Sequence, residues 1–318
     1  PLRSIQKWNP KIPIIFGSNA QEFMIFVVDG PFPYNLSNEL LPLNVAIAMA
    51  NTGEVKMKME KCLKTNDFEF CGMNLKNNKV TKYSNEVALS YNNAIELAAM
   101  YKENDFTSLT ETFNEFITGS CQFKPTSSWC KTGPNGGPGV SNAFRRWVAV
   151  ITDLIFTSTS QLVTSNPNSG NNNNQSPRWR YLFNQPATGT AAKALGPFHG
   201  LDIPFVFNTF TYFFASLGEI WKPTTEEIVL SKQIQQYWIN FANYGSPNDP
   251  SNDSNDQPLW EQAGTDGSQY MELKAALPNV AESGTAMSSG YRWSQLQFWQ
   301  PRSLYDSSDS PAPTPAPT

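Results

Sequence analysis

The chain has 318 residues, of which 40% are hydrophobic and 13% aromatic, so it can bury a large core as one large domain or two small ones. Charged residues make up only 16% and the net charge is −4, so no basic surface points to nucleic acid or to an anionic membrane. The longest apolar segment, Trp147 to Phe156, is short and contains Asp153, whereas a transmembrane helix needs about 20 apolar residues.

The first third of the chain predicts one short strand followed by helices. Residues 11–17, KIPIIFG, are apolar and β-branched, which predicts a buried strand that Gly17 ends. Apolar positions recur at helical spacing from about residue 38 to residue 101, and residues 107–117 predict a further helix.

A longer helix is predicted over residues 142–163. Ser141 stands directly before it and is a candidate N-cap, because a serine hydroxyl accepts a hydrogen bond from a free N–H group of the first turn. The first half of this helix is amphipathic, and Arg145 and Arg146 are expected on its solvated face.

The second half of the chain combines strands with one strong helix. Residues 165–177 are asparagine-rich and predict an exposed segment, whereas residues 178–184 alternate and predict a strand. Residues 203–207, IPFVF, and 269–273, QYMEL, are further strand candidates. Residues 224–245 predict a helix with a threonine cap, two glutamates in the first turn and a glycine at its end. Strands separated by helices predict an α/β fold, but so few strands form only part of a doubly wound sheet.

The four cysteines fall into two local pairs, Cys62 with Cys71 and Cys121 with Cys130. Neither pair has the C-x-x-C spacing of a zinc site, and the one histidine of the chain cannot complete such a site with them. Two short-loop disulfides are the preferred interpretation and indicate an oxidising compartment, although four cysteines allow three connectivities. Four free thiols in a cytosolic protein are the alternative.

Three N-x-S/T sequons begin at Asn35, Asn174 and Asn252, and with the cysteines they favour a glycoprotein that is secreted or held at the cell surface. The chain begins at Pro1 without a methionine or a signal peptide, so we expect that preceding sequence is missing. Residues 303–318, SLYDSSDSPAPTPAPT, predict an extended Pro/Ser/Thr-rich linker or tail.

His199 is the only histidine in the sequence, and it lies in a loop before Gly200. A histidine base in nucleophilic catalysis needs a nucleophile at one ring nitrogen and an orienting carboxylate at the other. Glu22, just past the first predicted strand, is a candidate carboxylate and gives the acid-before-histidine order of the α/β-hydrolases. Their nucleophile motif, G-x-S-x-G, does not occur in the sequence. Without further context, the alternative interpretation is that His199 is a hydrogen-bonded core histidine and that Glu22 is an exposed carboxylate in a turn.

Four segments resemble the type-B carboxylesterases and cholinesterases. IPIIFGSNAQE, which ends at Glu22, is similar to the family segment that carries the triad acid, and FHGLDIPFVF around His199 is similar to the family's histidine loop. YWINFANYGSPN, residues 237–248, resembles a family helix end, and QFW near the end of the chain resembles the family's closing Phe-Trp. The resemblance runs from about residue 8 to residue 300.

The resemblance implies that residues 1–302 are the C-terminal part of an α/β-hydrolase domain. Its fold would be part of a mixed, mostly parallel sheet flanked by helices, with a variable helical insertion at residues 38–146. Glu22 would be the triad acid and His199 the base of a serine-type ester hydrolase, which needs no metal or other cofactor. The serine and most of the oxyanion hole would lie in a complementary N-terminal part of the same domain.

A non-catalytic role is the alternative, because this family also contains members that serve as binding modules. The chain would then be part of a cholinesterase-like adhesion or structural module of an extracellular assembly, with its Pro/Thr-rich tail contacting other extracellular proteins. A G-x-S-x-G motif upstream would indicate the enzyme, and a replaced serine would indicate the module.

Three residues near the candidate pair carry more specific expectations. Phe23 stands where the family usually has glycine, so its side chain requires a different local backbone or a shifted carboxylate. Phe26 is a candidate wall of a substrate pocket, with core packing as the alternative. Asp202 either supports the histidine loop by hydrogen bonding or is a surface acid.

Overall fold

The structure is a computed structural model that describes most of the chain. The described residues are 12–27, 34–49, 60–61, 73–74, 79–80, 85–123, 129–132, 137–165, 176–214, 220–251, 257–276 and 284–299. The predictions that fall outside them concern Cys62, Cys71, Asn174, Asn252, the asparagine-rich residues 166–175 and the tail at 303–318.

Strands and helices alternate through the described residues. The strands are β1 (Ile14–Asn19), β2 (Met73–Asn74), β3 (Lys79–Val80), β4 (Arg178–Phe183), β5 (Gln269–Leu273) and β6 (Ala286–Ser289). The α-helices are α1 (Leu41–Met49), α2 (Asn85–Met100), α3 (Asn104–Phe123), α4 (Trp129–Thr132), α5 (Asn142–Thr152), α6 (Ser158–Thr164), α7 (Ile203–Phe207), α8 (Phe210–Phe213), α9 (Thr225–Tyr244) and α10 (Trp293–Trp299). Short 3₁₀-helices cover Glu22–Val27 and Ala191–Leu195, and a π-helical turn covers Asp153–Thr157.

Two compact units divide the chain. The first combines the residues up to Ile25 with Leu154–Trp293 and contains the main sheet. The second combines Phe26–Asp153 with the residues from Ser294 onward, and its described part is helical apart from the short β2–β3 pair.

The main sheet has the strand order β1-β4-β5-β6. β1, β4 and β5 are parallel to one another, and β6 is antiparallel to β5. The side chains of β4 are buried on both faces, as expected for an inner strand of a parallel sheet, and α6 packs against β1 and β4. This mixed, mostly parallel sheet with flanking helices confirms the predicted fold class.

The first strand is longer than predicted, because Gly17 lies inside it and does not end it. β1 continues to Asn19, and Gly17 pairs with Tyr181 of β4. A Cβ atom on Gly17 would overlap the aromatic ring of Tyr181. The glycine is therefore required for close packing, since it lets the ring of Tyr181 lie across β1.

The strand predicted at residues 203–207 is wrong, because this segment forms the helix α7. Pro204 stands in the first turn, where its missing N–H group leaves no hydrogen bond unmade. The N–H groups of Phe205 and Val206 both donate to the carbonyl of Asp202. A run of five apolar residues is too short to distinguish the helical period from the strand period.

The helix predicted over residues 224–245 is confirmed as α9, with both of its ends. The Thr224 hydroxyl accepts a hydrogen bond from the Glu227 N–H, and the Glu227 carboxylate accepts one from the Thr224 N–H. Gly245 ends the helix in the left-handed conformation, with φ of 67°, which favours glycine.

The helix predicted over residues 142–163 begins as expected but is interrupted. The Ser141 hydroxyl accepts a hydrogen bond from the Phe144 N–H at 3.1 Å, which confirms the predicted N-cap. The π-helical turn then separates α5 from α6. Hydrophobic periodicity does not register the single extra residue that such a turn accommodates.

The prediction of a solvated face at Arg145 and Arg146 is wrong. Arg145 is 3% exposed, and its guanidinium lies 5.4 Å from the centre of the Phe113 ring. Arg146 donates hydrogen bonds to the main-chain carbonyls of Ala98 and Tyr101. Arg145 thus joins α5 to α3, and Arg146 joins it to the end of α2.

One of the two predicted cysteine pairs lies within the described residues. Cys121 and Cys130 form a disulfide with their Cα atoms 5.7 Å apart, which links α3 to α4 and confirms this pairing. Among the helices that the structure describes, none has the length and apolar character needed to cross a bilayer.

Candidate active site

Glu22 lies just beyond the carboxyl end of β1, at the start of the first 3₁₀-helix. The residue is 5% exposed, and its Oε1 accepts a hydrogen bond from the Asn19 N–H at 2.7 Å. The Ala20 N–H donates to the Phe183 carbonyl at the end of the neighbouring strand β4, at 2.9 Å. The acid loop is therefore fixed to the carboxyl edge of the sheet, where α/β proteins place their functional groups.

His199 lies in the loop between the second 3₁₀-helix and α7. Two main-chain hydrogen bonds fasten this loop to the acid loop: the Gln21 N–H donates to the Pro197 carbonyl at 3.0 Å, and the His199 N–H donates to the Glu22 carbonyl at 3.2 Å. Gly200 follows with φ of 79°, a conformation that favours glycine and turns the chain toward α7.

The side chains of Glu22 and His199 form a direct pair. Nδ1 of His199 lies 2.8 Å from Oε2 of Glu22. The Glu22 side chain is 7% exposed, whereas the His199 side chain is 50% exposed. An ionised carboxylate only accepts hydrogen bonds, so Nδ1 carries the shared hydrogen and Nε2 is left as an acceptor. In this tautomer the imidazole can take a proton from a nucleophile.

Opposing influences act on the pKa of Glu22. Burial of the carboxylate has the largest effect and raises the pKa above the ordinary value of 4.5, and the negative charge of Asp202 acts in the same direction. The Asn19 N–H and the His199 imidazole lower the pKa, because they stabilise the charged carboxylate. Burial prevails, so the pKa of Glu22 is raised.

The ring of Phe156 covers part of the imidazole of His199. The two ring centroids lie 5.3 Å apart, with the planes tilted by 44°. Phe156 belongs to the π-helical turn, a distortion that occurs frequently at functional sites. The sequence analysis predicts one continuous helix over residues 142–163, so it gives no sign of the π-helical turn or of the contact between Phe156 and His199.

Asp202 takes part in the hydrogen bonding around the pair. Its Oδ1 accepts from the Asn19 side chain at 3.3 Å, and its Oδ2 accepts from the Tyr181 hydroxyl at 3.2 Å. Burial, and then the charge of Asp202, raise the pKa of Tyr181, so its hydroxyl keeps its proton and donates. Of the two alternatives for Asp202, these contacts favour support of the histidine loop.

Phe23 and Phe26 lie in the same 3₁₀-helix as Glu22. Among the described non-glycine residues, only Asn208 and Arg292 have positive φ, so the backbone at Phe23 accepts a side chain without strain. The carboxylate therefore reaches the imidazole although glycine is replaced. Phe26 is 46% exposed, and its role as the wall of a substrate pocket stays a prediction.

Two further predictions concern sites away from the pair. Asn35 is exposed, and its role as a glycosylation acceptor stays a prediction. Within the described residues, no three histidine, cysteine, aspartate or glutamate side chains lie close enough together to hold a metal ion.

Comparison with known proteins agrees with the architecture. A model of the carboxylesterase family matches residues 1–299. The chain belongs to the carboxylesterase family. This membership confirms the resemblance found in the motifs, and at the level of the family it supports ester hydrolysis.

Individual members of the carboxylesterase family match shorter stretches. Acylcarnitine hydrolase of Mus musculus is 37% identical over 101 residues, which cover 32% of this chain and 15% of that protein. Acylcarnitine hydrolase of Rattus norvegicus is 32% identical over 101 residues, with the same shares of the two chains. Acetylcholinesterase 1 of Caenorhabditis elegans is 27% identical over 128 residues, which cover 38% of this chain and 18% of that protein. The matched stretch thus spans 15% to 18% of the length of these relatives.

Proposed function

We propose that this chain supplies the acid and the base of a serine-type ester hydrolase. The observation that carries the proposal is the 2.8 Å contact between the buried Glu22 carboxylate and Nδ1 of the half-exposed His199. Glu22 holds the imidazole in the tautomer with hydrogen on Nδ1 and stabilises the positive charge that forms on it. His199 is the general base for the nucleophile and the general acid for the leaving group.

The nucleophilic serine is proposed to come from sequence outside these 318 residues, since G-x-S-x-G does not occur within them. The serine oxygen attacks the ester carbonyl while Nε2 of His199 takes its proton. The leaving alcohol receives that proton, and an acyl-enzyme remains. Water, deprotonated by the same Nε2, then releases the carboxylic acid and regenerates the serine.

The outer edge of β1 is a site where further strands could extend the sheet. Within the described residues β1 pairs only with β4, so its other edge presents unpaired main-chain groups. Phe16 on β1 is 41% exposed, and Ile12 just before it is 72% exposed. An apolar edge of this kind pairs readily with another strand. We propose that the N-terminal part of the same hydrolase domain adds its strands at this edge.

Labelling with a fluorophosphonate tests the enzymatic proposal. The intact protein, in which this chain is joined to the serine-bearing part, should react with the probe, and His199→Gln should abolish the reaction. Lys193→Gln is a suitable control, because Lys193 is exposed on the helix that precedes the histidine loop. Absence of labelling in the intact protein would contradict the hydrolase and favour the adhesion or structural module.

Expression of the 318 residues alone tests the proposed partner. The isolated chain should aggregate or melt without cooperativity, and coexpression of the N-terminal part should restore a soluble complex. A monodisperse isolated chain with a sharp thermal transition would contradict the need for added strands.

A further inference from the structure

We infer that Asn19 and Asp202 form a clamp that positions Glu22 and His199 relative to each other, with Tyr181 as its support. The catalytic meaning of this clamp rests on the proposed ester hydrolase. The effect of the clamp on the geometry of the Glu22–His199 pair is independent of that proposal and can be measured separately.

Asn19 contacts both halves of the pair. Its main-chain N–H donates to Oε1 of Glu22 at 2.7 Å, and its side-chain amide donates to the carbonyl of Phe198, the residue before the histidine, at 2.6 Å. Asn19 is 2% exposed, so solvent cannot readily replace these hydrogen bonds. One residue at the end of β1 thus binds the acid and the segment that carries the base.

Asp202 fixes the orientation of the Asn19 amide. The amide nitrogen has two hydrogens, and the second points to Oδ1 of Asp202 at 3.3 Å. A rotated amide would place its oxygen against the Phe198 carbonyl and the Asp202 carboxylate, which only accept hydrogen bonds. The two acceptors therefore select one orientation of the Asn19 side chain.

Tyr181 connects this arrangement to the sheet. Its hydroxyl donates to Oδ2 of Asp202 at 3.2 Å, and its ring lies against Gly17 of β1. On α9, the ring of Trp238 packs edge-on at a centroid distance of 5.6 Å. The clamp is thereby held by two strands and a helix, and side chains on such elements are positioned more accurately than side chains held by loops alone.

Loss of the clamp should loosen the pair without separating the two loops. The hydrogen bonds from Gln21 to Pro197 and from His199 to Glu22 use main-chain atoms and persist when the Asn19 side chain is truncated. The histidine loop would then shift on these two bonds, and a displacement of about 1 Å at a catalytic group lowers turnover by about 10²-fold.

Asn19→Ala tests the clamp against Asn240→Ala in the intact protein. Asn240 is a matched control, because it is 3% exposed and its amide donates to the Pro247 carbonyl at 3.0 Å. Asn19→Ala should lower kcat for a simple ester by about 10²-fold with little change in KM. Asn240→Ala should lower the melting temperature to a similar degree and leave kcat within about twofold. Equal kcat losses in the two variants would overturn the clamp.

A spectroscopic measurement separates the clamp from the proposed function. With ¹⁵N-labelled histidine, the signal of His199 is identified by its absence in His199→Gln. The wild type should show a low-field proton on Nδ1, and Asn19→Ala should weaken it and populate the tautomer with hydrogen on Nε2. If no variant hydrolyses esters but this change occurs, the clamp stands and the proposed function fails. An unchanged Nδ1 signal in Asn19→Ala would refute the clamp.

The conservative variant of Asp202 gives a third readout. Asp202→Asn keeps an oxygen for the Asn19 amide, and its own amide can donate to the Tyr181 hydroxyl. Asp202→Ala removes both contacts. We expect Asp202→Asn to retain most of the Nδ1 signal and Asp202→Ala to lose it, whereas equal signals in both variants would show that Asp202 does not orient Asn19.

Discussion

Two buried glutamates of the sheet-bearing unit share a local geometry and differ in their surroundings. Glu22 accepts a hydrogen bond from the N–H of Asn19, three residues before it, at the start of a 3₁₀-helix. Glu227 accepts one from the N–H of Thr224, three residues before it, at the start of α9. In each case the carboxylate occupies the end of a helix where free N–H groups favour negative charge.

The remaining contacts distinguish the two carboxylates. Glu227 is fully buried, and its further donors are the Thr188 N–H at 2.9 Å and the Trp221 indole N–H at 3.4 Å. Neither donor gains or loses a proton near neutral pH. Glu22 instead contacts the half-exposed imidazole of His199, a side chain that can pass a proton through its second ring nitrogen. A buried carboxylate at a helix start is therefore structural when all its donors are main-chain or indole N–H groups, and it can serve proton transfer when one partner is an imidazole that reaches solvent.

Glu22→Gln should have the largest effect, a fall in kcat of about 10³- to 10⁴-fold. The Asn19 N–H needs an acceptor, so the new amide oxygen faces Asn19 and the amide nitrogen faces His199. That nitrogen donates to Nδ1 and selects the tautomer with hydrogen on Nε2, which cannot take a proton from the serine. Ester hydrolysis and thermal unfolding measured together check this result. A kcat within tenfold of the wild type would contradict the role of Glu22.

Glu227→Gln should lower stability and leave turnover unchanged. The amide oxygen satisfies only one of the Thr188 and Thr224 N–H groups, and the amide nitrogen then meets the other donor. An unmade buried hydrogen bond costs about 1–3 kcal/mol of unfolding free energy. Urea unfolding measures the loss, and kcat is normalised to folded protein. Loss of turnover like that of Glu22→Gln would remove the distinction between the two glutamates.

The sequence predicts elements whose signals are local and redundant. α9 is predicted with its ends, because threonine, glutamate and glycine each mark a boundary by their own chemistry. The position of Gly17 inside β1 and the helical state of residues 203–207 are not predicted. The first depends on the Tyr181 ring of another strand, and the second concerns a segment shorter than two helical turns.

The sequence predicts the two paired residues of the site but not most of the contacts that surround them. The motifs around Glu22 and His199 indicate the pair, since both residues follow recognisable segments of the chain. Asn19 lies inside the motif that ends at Glu22, but its contact with Phe198 is not predicted, and Phe156 carries no motif at all. Both contacts join residues that are far apart in sequence. The sequence leaves two roles open for Asp202, support of the histidine loop or a surface acid. Its contact with the Asn19 side chain, which favours the first role, is seen only in the structure.

Phe156→Leu should have a smaller effect on kcat than Glu22→Gln. It tests whether the His199 imidazole, unlike the fixed donors of Glu227, needs a neighbouring ring to hold its orientation. The aromatic contact with His199 restrains the ring, and such contacts contribute about 0.5–1.5 kcal/mol. We expect kcat to fall by about two- to tenfold. Ile155→Leu is the control, because Ile155 lies in the same π-helical turn and is 47% exposed. Equal kcat values in the two variants would show that the Phe156 ring does not restrain His199.

The smallest predicted effect is a dependence of stability on pH that originates in Glu22. Burial raises the pKa of Glu22 above 4.5 in the folded protein, so over the interval above pH 4.5 the folded state binds more protons than the unfolded state. The contribution of Glu22 to the unfolding free energy therefore falls as pH rises through that interval and is constant on either side. Glu22→Gln has no proton to lose there, so its stability relative to the wild type should rise across the same interval.

The pH experiment is best done with Glu22→Gln made in both the wild type and His199→Gln, because the second background removes the imidazole that interacts with Glu22. The direction should be the same in both, since burial is the dominant cause and does not depend on His199. The rise should be larger in His199→Gln, because the imidazole lowers the pKa of Glu22 and its removal leaves burial less opposed. Parallel stability curves for Glu22→Gln and its parent in both backgrounds would mean that Glu22 titrates alike in the folded and unfolded states. Glu22 would then contribute nothing to the pH dependence of stability, and it would differ from Glu227 only in its contact with His199.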